Sequence, residues 1–99
     1  MRETKQSLSE LWALLRKKEQ HFGLQKLSLT ERDIFQMILH LQRKDLNISL
    51  DFVLKNCNYP RATFFRSLKN LRLKKFIEIS KDTNDERKSI INIPQQFRN

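Results

Sequence analysis

Cysteine, glycine and proline are nearly absent from this chain: Cys57 is the only cysteine, Gly23 the only glycine, and Pro60 and Pro94 the only prolines. A lone cysteine excludes an intramolecular disulfide and with it the stapled architecture of small secreted domains, so a reducing compartment is expected. So little glycine and proline excludes collagen-like and flexible-linker chains, and leaves few turns that demand positive backbone angles. Helix is the favoured element. No apolar run approaches the roughly 18 residues of a membrane span, and the N-terminal "MRETKQSLSELWALLRKK" has no apolar signal-peptide core. A cytoplasmic location without a membrane partner is the expectation.

What is present is a foldable and locally basic chain. Its 99 residues fit one domain, 1–99, with a single core, and a 38% hydrophobic fraction with seven phenylalanines supplies material for that core. The net charge of +9 is unevenly placed. Residues 59–81 carry seven cations against one anion, whereas residues 31–58 carry four of each, so two thirds of the excess sits in one segment. A localised cationic footprint points to a polyanion as partner.

Ser7 and Glu10 have the spacing of a capping box, which predicts a first helix over about residues 7–22. Leu8, Leu11, Trp12, Leu15 and Phe22 form one stripe, and Leu14 lies about 110° from its centre. So wide an apolar surface fits a broad core face, or a helix that also packs on a second subunit; periodicity does not choose. In "LTERDIFQMILHL", Thr30 reads as the N-cap of a second helix, Glu31 and Asp33 oppose its dipole, and Ile34, Met37, Ile38 and Leu41 form its buried stripe. "ISLDFVLKNC" is a short third helix capped by Ser49, with Val53, Leu54 and Cys57 inward. Asn58 then suits the left-handed geometry of a tight turn.

The next helix begins near Pro60, where a missing N–H costs nothing. In "YPRATFFRSLKNL", Phe64, Leu68 and Leu71 recur at i, i+4, i+7, and Arg61, Thr63, Arg66, Lys69 and Asn70 group away from them. Two short helices joined by a tight turn, the second basic outside, describe a helix-turn-helix. "FIEISK" and "RKSIINI" then read as strands closed by "DTNDE", a wing over about residues 76–93. The predicted class is mainly α with a small β-hairpin, a winged helix-turn-helix.

From about Leu29 to Ile93 the chain resembles the MarR family, especially its small SarA-like branch. The resemblance is carried by "LTERDIFQMIL", by "PRATFFRSLKNLRLKKFIEI", and by "NDERKSIINI", in which Asp85, Glu86 and Arg87 match the family's D-x-R wing signature. It implies that Arg87 reaches a minor groove and that Asp85 positions the wing. Lys75 departs from the pattern, standing where the family usually has glycine. Phe65 departs too, where a smaller residue is common, and is expected to touch DNA or to pack under the wing. The chain ends soon after the second strand, without the long C-terminal helices through which many relatives dimerise. Leu8, Leu11, Trp12, Leu14 and Leu15 of the first helix are therefore the candidate dimerisation residues, as in the SarA-like branch.

The DNA-binding candidates are Arg61, Thr63, Arg66, Lys69, Asn70 and Lys74 of the recognition helix, with Arg87 and Lys88 of the wing. Arginines here can read guanine edges or clasp phosphates, and most such contacts go to the backbone. Cys57 reads as an inward thiol in preference to a redox sensor. His21 and His40 lack the spacing of a zinc site, and Asp82, Asp85 and Glu86 have no nucleophile beside them, so neither metal, cofactor nor enzyme activity is expected. The expected function is sequence-specific binding of double-stranded DNA by a homodimer that regulates transcription in the cytoplasm, at the nucleoid. Alternatives are a replication or plasmid-maintenance factor using the same surface, and a winged-helix protein-interaction module. A small-molecule effector is left open.

Overall fold

The computed structural model describes residues 2–43 and 48–97, with side chains from Ser7 onward. Its elements are α1 (Arg2–His21), a 3-10 turn (Leu24–Lys26), α2 (Leu29–Gln42), β1 (Ile48–Ser49), α3 (Leu50–Lys55), α4 (Arg61–Leu73), β2 (Glu78–Lys81), β3 (Ser89–Asn92) and a closing 3-10 turn (Gln95–Phe97). This is the expected winged helix-turn-helix, with one strand more than the sequence suggested. The antiparallel sheet has the order β1-β3-β2, and Ile48 pairs with Ile91. A two-residue strand is too short to show alternation, so β1 leaves no periodic signal.

Two expected helix starts are corrected. α1 begins at Arg2, and Ser7 lies inside it. Arg, Glu, Lys and Gln ahead of Ser7 are good helix formers, and each residue added to an existing helix brings a hydrogen bond without a new nucleus. α2 is capped by Ser28, two residues before Thr30. Ser28 Oγ accepts from the Glu31 N–H and Glu31 Oε1 accepts from the Ser28 N–H, both at 3.1 Å, a reciprocal box that Thr30 could not form with Glu31.

The core lies between α2, α3, α4 and the sheet. Ile34 and Ile38 are buried as expected, but Met37 and Leu41 are only half-buried, and Phe35 is fully buried in their stead. The Phe35 ring meets Phe76 and Phe97 edge-on at 5.5 and 5.4 Å, so the buried face of α2 is broader than a single stripe. Phe64, Leu68 and Leu71 of α4 are buried, as the spacing requires.

The turn between α3 and α4 does not use a left-handed Asn58. Among the described residues the only positive φ values are at Gly23 and Lys75. Side chains close this turn instead. Asn56 Nδ2 donates to the Phe52 carbonyl at 2.9 Å, the Tyr59 N–H donates to Cys57 Sγ at 3.4 Å, and the Tyr59 hydroxyl donates to Asp33 Oδ2 at 2.7 Å.

Lys75 carries the left-handed burden, with φ 67° just past the end of α4. The Phe76 N–H donates to the Leu71 carbonyl at 2.9 Å and the Lys75 N–H to that of Arg72 at 3.0 Å, the two bonds of a Schellman motif whose left-handed residue is usually glycine. Lys75→Gly is expected to stabilise the fold by up to about 1.6 kcal/mol. It relieves a left-handed penalty of about 1–2 kcal/mol and adds about 0.4–1 kcal/mol of unfolded-chain entropy. Urea denaturation reads the difference, and an unchanged or lower midpoint would refute it.

Candidate nucleic-acid interface

α4 starts at Arg61 behind Pro60, whose φ of −57° leads the chain into the helix. With its apolar stripe buried, the helical period distributes the polar residues unevenly. Arg61, Arg72, Phe65, Lys69 and Arg66 fall within an arc of about 140° whose centre lies about 120° from that of the buried stripe, at about 100° per residue. All five are exposed. Arg72 was not singled out from the sequence, although the same period places it one turn beyond Lys69. Phe65 packs edge-on against Phe64 at 5.3 Å and carries the Arg61 guanidinium 5.1 Å above its ring, so it braces a cation at the surface.

Thr63, Asn70 and Lys74 lie on the flank of α4 that faces α2, at about 180–220° from Arg61 by the same count. Asn70 is a correction: it does not point away with the arginines. Its Nδ2 donates to Glu31 Oε2 at 2.9 Å. Lys74 Nζ reaches Glu31 Oε1 at 3.3 Å and the Lys26 carbonyl at 3.2 Å. These groups join α4 to the first turn of α2, and sequence reasoning could not see a partner so distant along the chain. Thr63 is half-buried.

Burial by itself would raise the Glu31 pKa, but hydrogen bonds from Asn70, from the Ser28 N–H and from Lys74, together with the Lys74 charge, hold it below the ordinary 4.5. A lowered carboxylate pKa contributes stability that is present above the unfolded value and lost as pH falls through the folded one. Glu31→Gln keeps a capping oxygen but not the charge. Its stability deficit relative to wild type should shrink as pH drops below 4.5, in thermal melts across that range. A deficit independent of pH would show that the ionised form is not what matters.

The wing presents Arg87 and Lys88, both exposed. Asp85 Oδ1 accepts from the Arg87 backbone N–H at 3.1 Å and from its Nε at 3.2 Å, while the Arg87 side chain remains 91% exposed. The two backbone hydrogen bonds at the wing's root, Asp82 N–H to the Lys88 carbonyl and Lys88 N–H to that of Asp85, are both 2.9 Å. A cleft between α3 and the wing brings Lys55 and the exposed ring of Phe52 beside Arg87 and Lys88. Lys55 adds a cation that the sequence reading missed, because it lies outside the basic segment.

α1 does not supply the broad core face that its periodicity allowed. Leu8, Leu11, Trp12, Leu14 and Leu15 are all exposed, Leu11 by 59% and Trp12 by 61%, so this surface is not a core face. The long dimension of the molecule is 51 Å against 28 and 27 Å. Among the described residues, α1 meets the domain towards its C-terminal end, where Leu15, Glu19 and, just beyond the helix, Phe22 border an open groove of about 810 Å³ against α2 and Phe97.

Cys57 is half-buried and packed against the core. Among the described residues, no group of three or more His, Cys, Asp or Glu side chains is arranged to hold a metal ion, and no helix is long and apolar enough to cross a membrane.

No protein-family model matches the sequence, and no curated protein matches it. Solved structures do match the fold. The adhesin competence repressor AdcR from Streptococcus pyogenes superposes with a TM-score of 0.56 at 22% identity, over 94% of this chain and 63% of its own. MarR superposes at 0.58 with 20% identity, over 90% of this chain and 66% of its own. AbfR, in a reduced form bound to DNA, superposes at 0.56 with 17% identity, over 97% and 67%. The chain thus spans less than two thirds of the length of AdcR and MarR. Nothing in these matches bears on the narrower SarA-like branch. With α1 leading into a helix-turn-helix and a three-stranded wing, the chain has the winged-helix fold of MarR-type transcription regulators.

Proposed function

We propose that the protein is a regulator of transcription that binds double-stranded DNA as a homodimer, with α4 of each subunit in a major groove and Arg87 of each wing in the adjoining minor groove. The observation that carries this reading is the segregation on α4. Its apolar stripe is buried while Arg61, Arg66, Lys69 and Arg72 share one exposed face, the arrangement a helix needs to sit in a groove lined by phosphates. The exposed Arg87, Lys88 and Lys55 extend the same positive surface towards the wing. The unpartnered leucines of α1 support the dimer. The protein acts without a cofactor or catalytic activity, in the cytoplasm at the nucleoid.

Selection from a random duplex library, with the full chain as bait, tests this. Recovery of a pseudo-palindrome with half-sites about 10 base pairs apart is the expected result, from one turn of duplex between two-fold-related helices. Recovery of origin-like tandem repeats would favour a replication role, and no enrichment would favour protein interaction. On the selected site, Arg87→Ala should lose more affinity with A/T-rich flanks than with G/C-rich flanks, because a narrow minor groove concentrates negative potential. Equal losses on both would remove the wing from groove readout.

A further inference from the structure

We infer that the first turn of α2 is a two-sided clamp in which Arg32 holds α1 and Glu31 holds α4, so that two adjacent residues set the angle between the helix proposed to dimerise and the helix proposed to enter DNA. This rests on the function proposed above and specifies what determines the half-site spacing that the dimer accepts.

On one side of the clamp lies Glu19, which α1 carries at only 4% exposure although it is charged. Its Oε1 lies 2.8 Å from Arg16 Nη1 on α1 and 3.6 Å from Arg32 Nη1 on α2. Arg32 is itself anchored, its Nε donating to the Leu27 carbonyl at 3.1 Å. A buried carboxylate is costly unless cations and donors surround it, so α1 can tilt only by breaking this set. On the other side, Glu31 takes Asn70 of α4 and Lys74 at its C-cap while closing the α2 cap with Ser28. The Lys26 and Leu27 carbonyls that receive Lys74 and Arg32 are neighbours as well. Both helices therefore refer to one rigid turn. Beyond Glu19 and Leu15, which border the groove against α2, the residues Leu8, Leu11, Trp12 and Leu14 of α1 are largely exposed, so a small change of angle at Glu19 is amplified towards its far end.

In a two-fold dimer the α1–α4 angle fixes the distance and the rotation between the two recognition helices. Displacing one half-site by one base pair turns it about 34° around the duplex axis, from about 10.5 base pairs per turn. A rigid clamp rejects the displaced site, and a loosened one tolerates it.

The test uses the half-site recovered by the wild-type chain, built into duplexes whose two copies are spaced in single base-pair steps. Wild type should lose at least about tenfold in affinity one step from its optimum, a factor worth 1.4 kcal/mol. Arg32→Met and Glu19→Gln, shown to be folded and dimeric by circular dichroism and light scattering, should reduce that loss to about threefold or less. Their affinity for a single half-site and their salt slope should stay unchanged, since neither residue belongs to the α4 and wing surface proposed to meet DNA. Arg32→Lys, which keeps a cation near Glu19, should restore part of the discrimination. If Arg32→Met does not fold, the Glu19→Gln profile decides. A spacing profile identical to wild type in the folded variants overturns the clamp and leaves the DNA-binding reading standing, whereas failure of wild type to select any duplex removes both.

Discussion

Leu11→Asp and Leu14→Asp should each turn a dimer of this protein into a monomer while leaving the domain folded. In the monomer both side chains face solvent, so neither change removes a core contact, and circular dichroism should be unaltered. In a dimer built on α1 they would be covered. Each buried leucine is worth about 1.5–3 kcal/mol, and two-fold symmetry counts the loss twice. A deficit of roughly 3–6 kcal/mol weakens dimerisation by about two to four orders of magnitude, before the cost of burying two carboxylates is added. Light scattering at micromolar concentration should then report a monomer for the variants and a dimer for wild type. A dimer indifferent to both changes would move the interface elsewhere, and a monomeric wild type would remove it. Leucines and a tryptophan at this exposure along one helix present apolar surface of the kind that marks a protein interface.

The combined variant Arg61→Ala, Arg66→Ala, Lys69→Ala should abolish tight DNA binding with little effect on folding, because all three side chains lie on the exposed face of α4. If each neutralises one phosphate, the slope of log K against log salt should fall by about 2.7, at about 0.9 per contact. If one of the arginines instead makes a bidentate base contact, that position should cost about 1–3 kcal/mol and relax specificity at one base pair. Single variants separate the two cases. Asn70→Ala is the informative contrast. Its amide is engaged with Glu31, so it should cost about 1–3 kcal/mol of stability by leaving a buried acceptor short of a donor, with no change in salt slope. Equal salt slopes for wild type and the triple variant would exclude this face as the DNA surface.

Local chemistry made much of the fold legible. Ser49 capping α3, Pro60 opening α4, the spacing of Phe64, Leu68 and Leu71, and the alternation around Ile77 and Ile79 are signals that operate within one or two turns of chain. The Ser28–Glu31 box is equally local, with its serine and glutamate at capping-box spacing. The placement of the basic face on α4 follows from the same periodicity.

Contacts distant along the chain decided the rest. Asn70 groups with the arginines on a helical wheel, and Lys74 reads as a DNA-binding cation, until Glu31, 39 and 43 residues earlier, takes their donors. β1 exists because Ile48 finds Ile91, and Phe35 is buried because Phe76 and Phe97 arrive from the far end of the sequence. The turn before α4 needs no left-handed Asn58 once Tyr59 reaches Asp33 on α2. For α1 the sequence specified an amphipathic helix with an unusually wide apolar surface, and periodicity cannot say what covers it. The packed domain shows only that its own core does not: that core is filled by α2, α3, α4 and the sheet, and α1 is tied to it at Glu19, which leaves the leucine face in solvent.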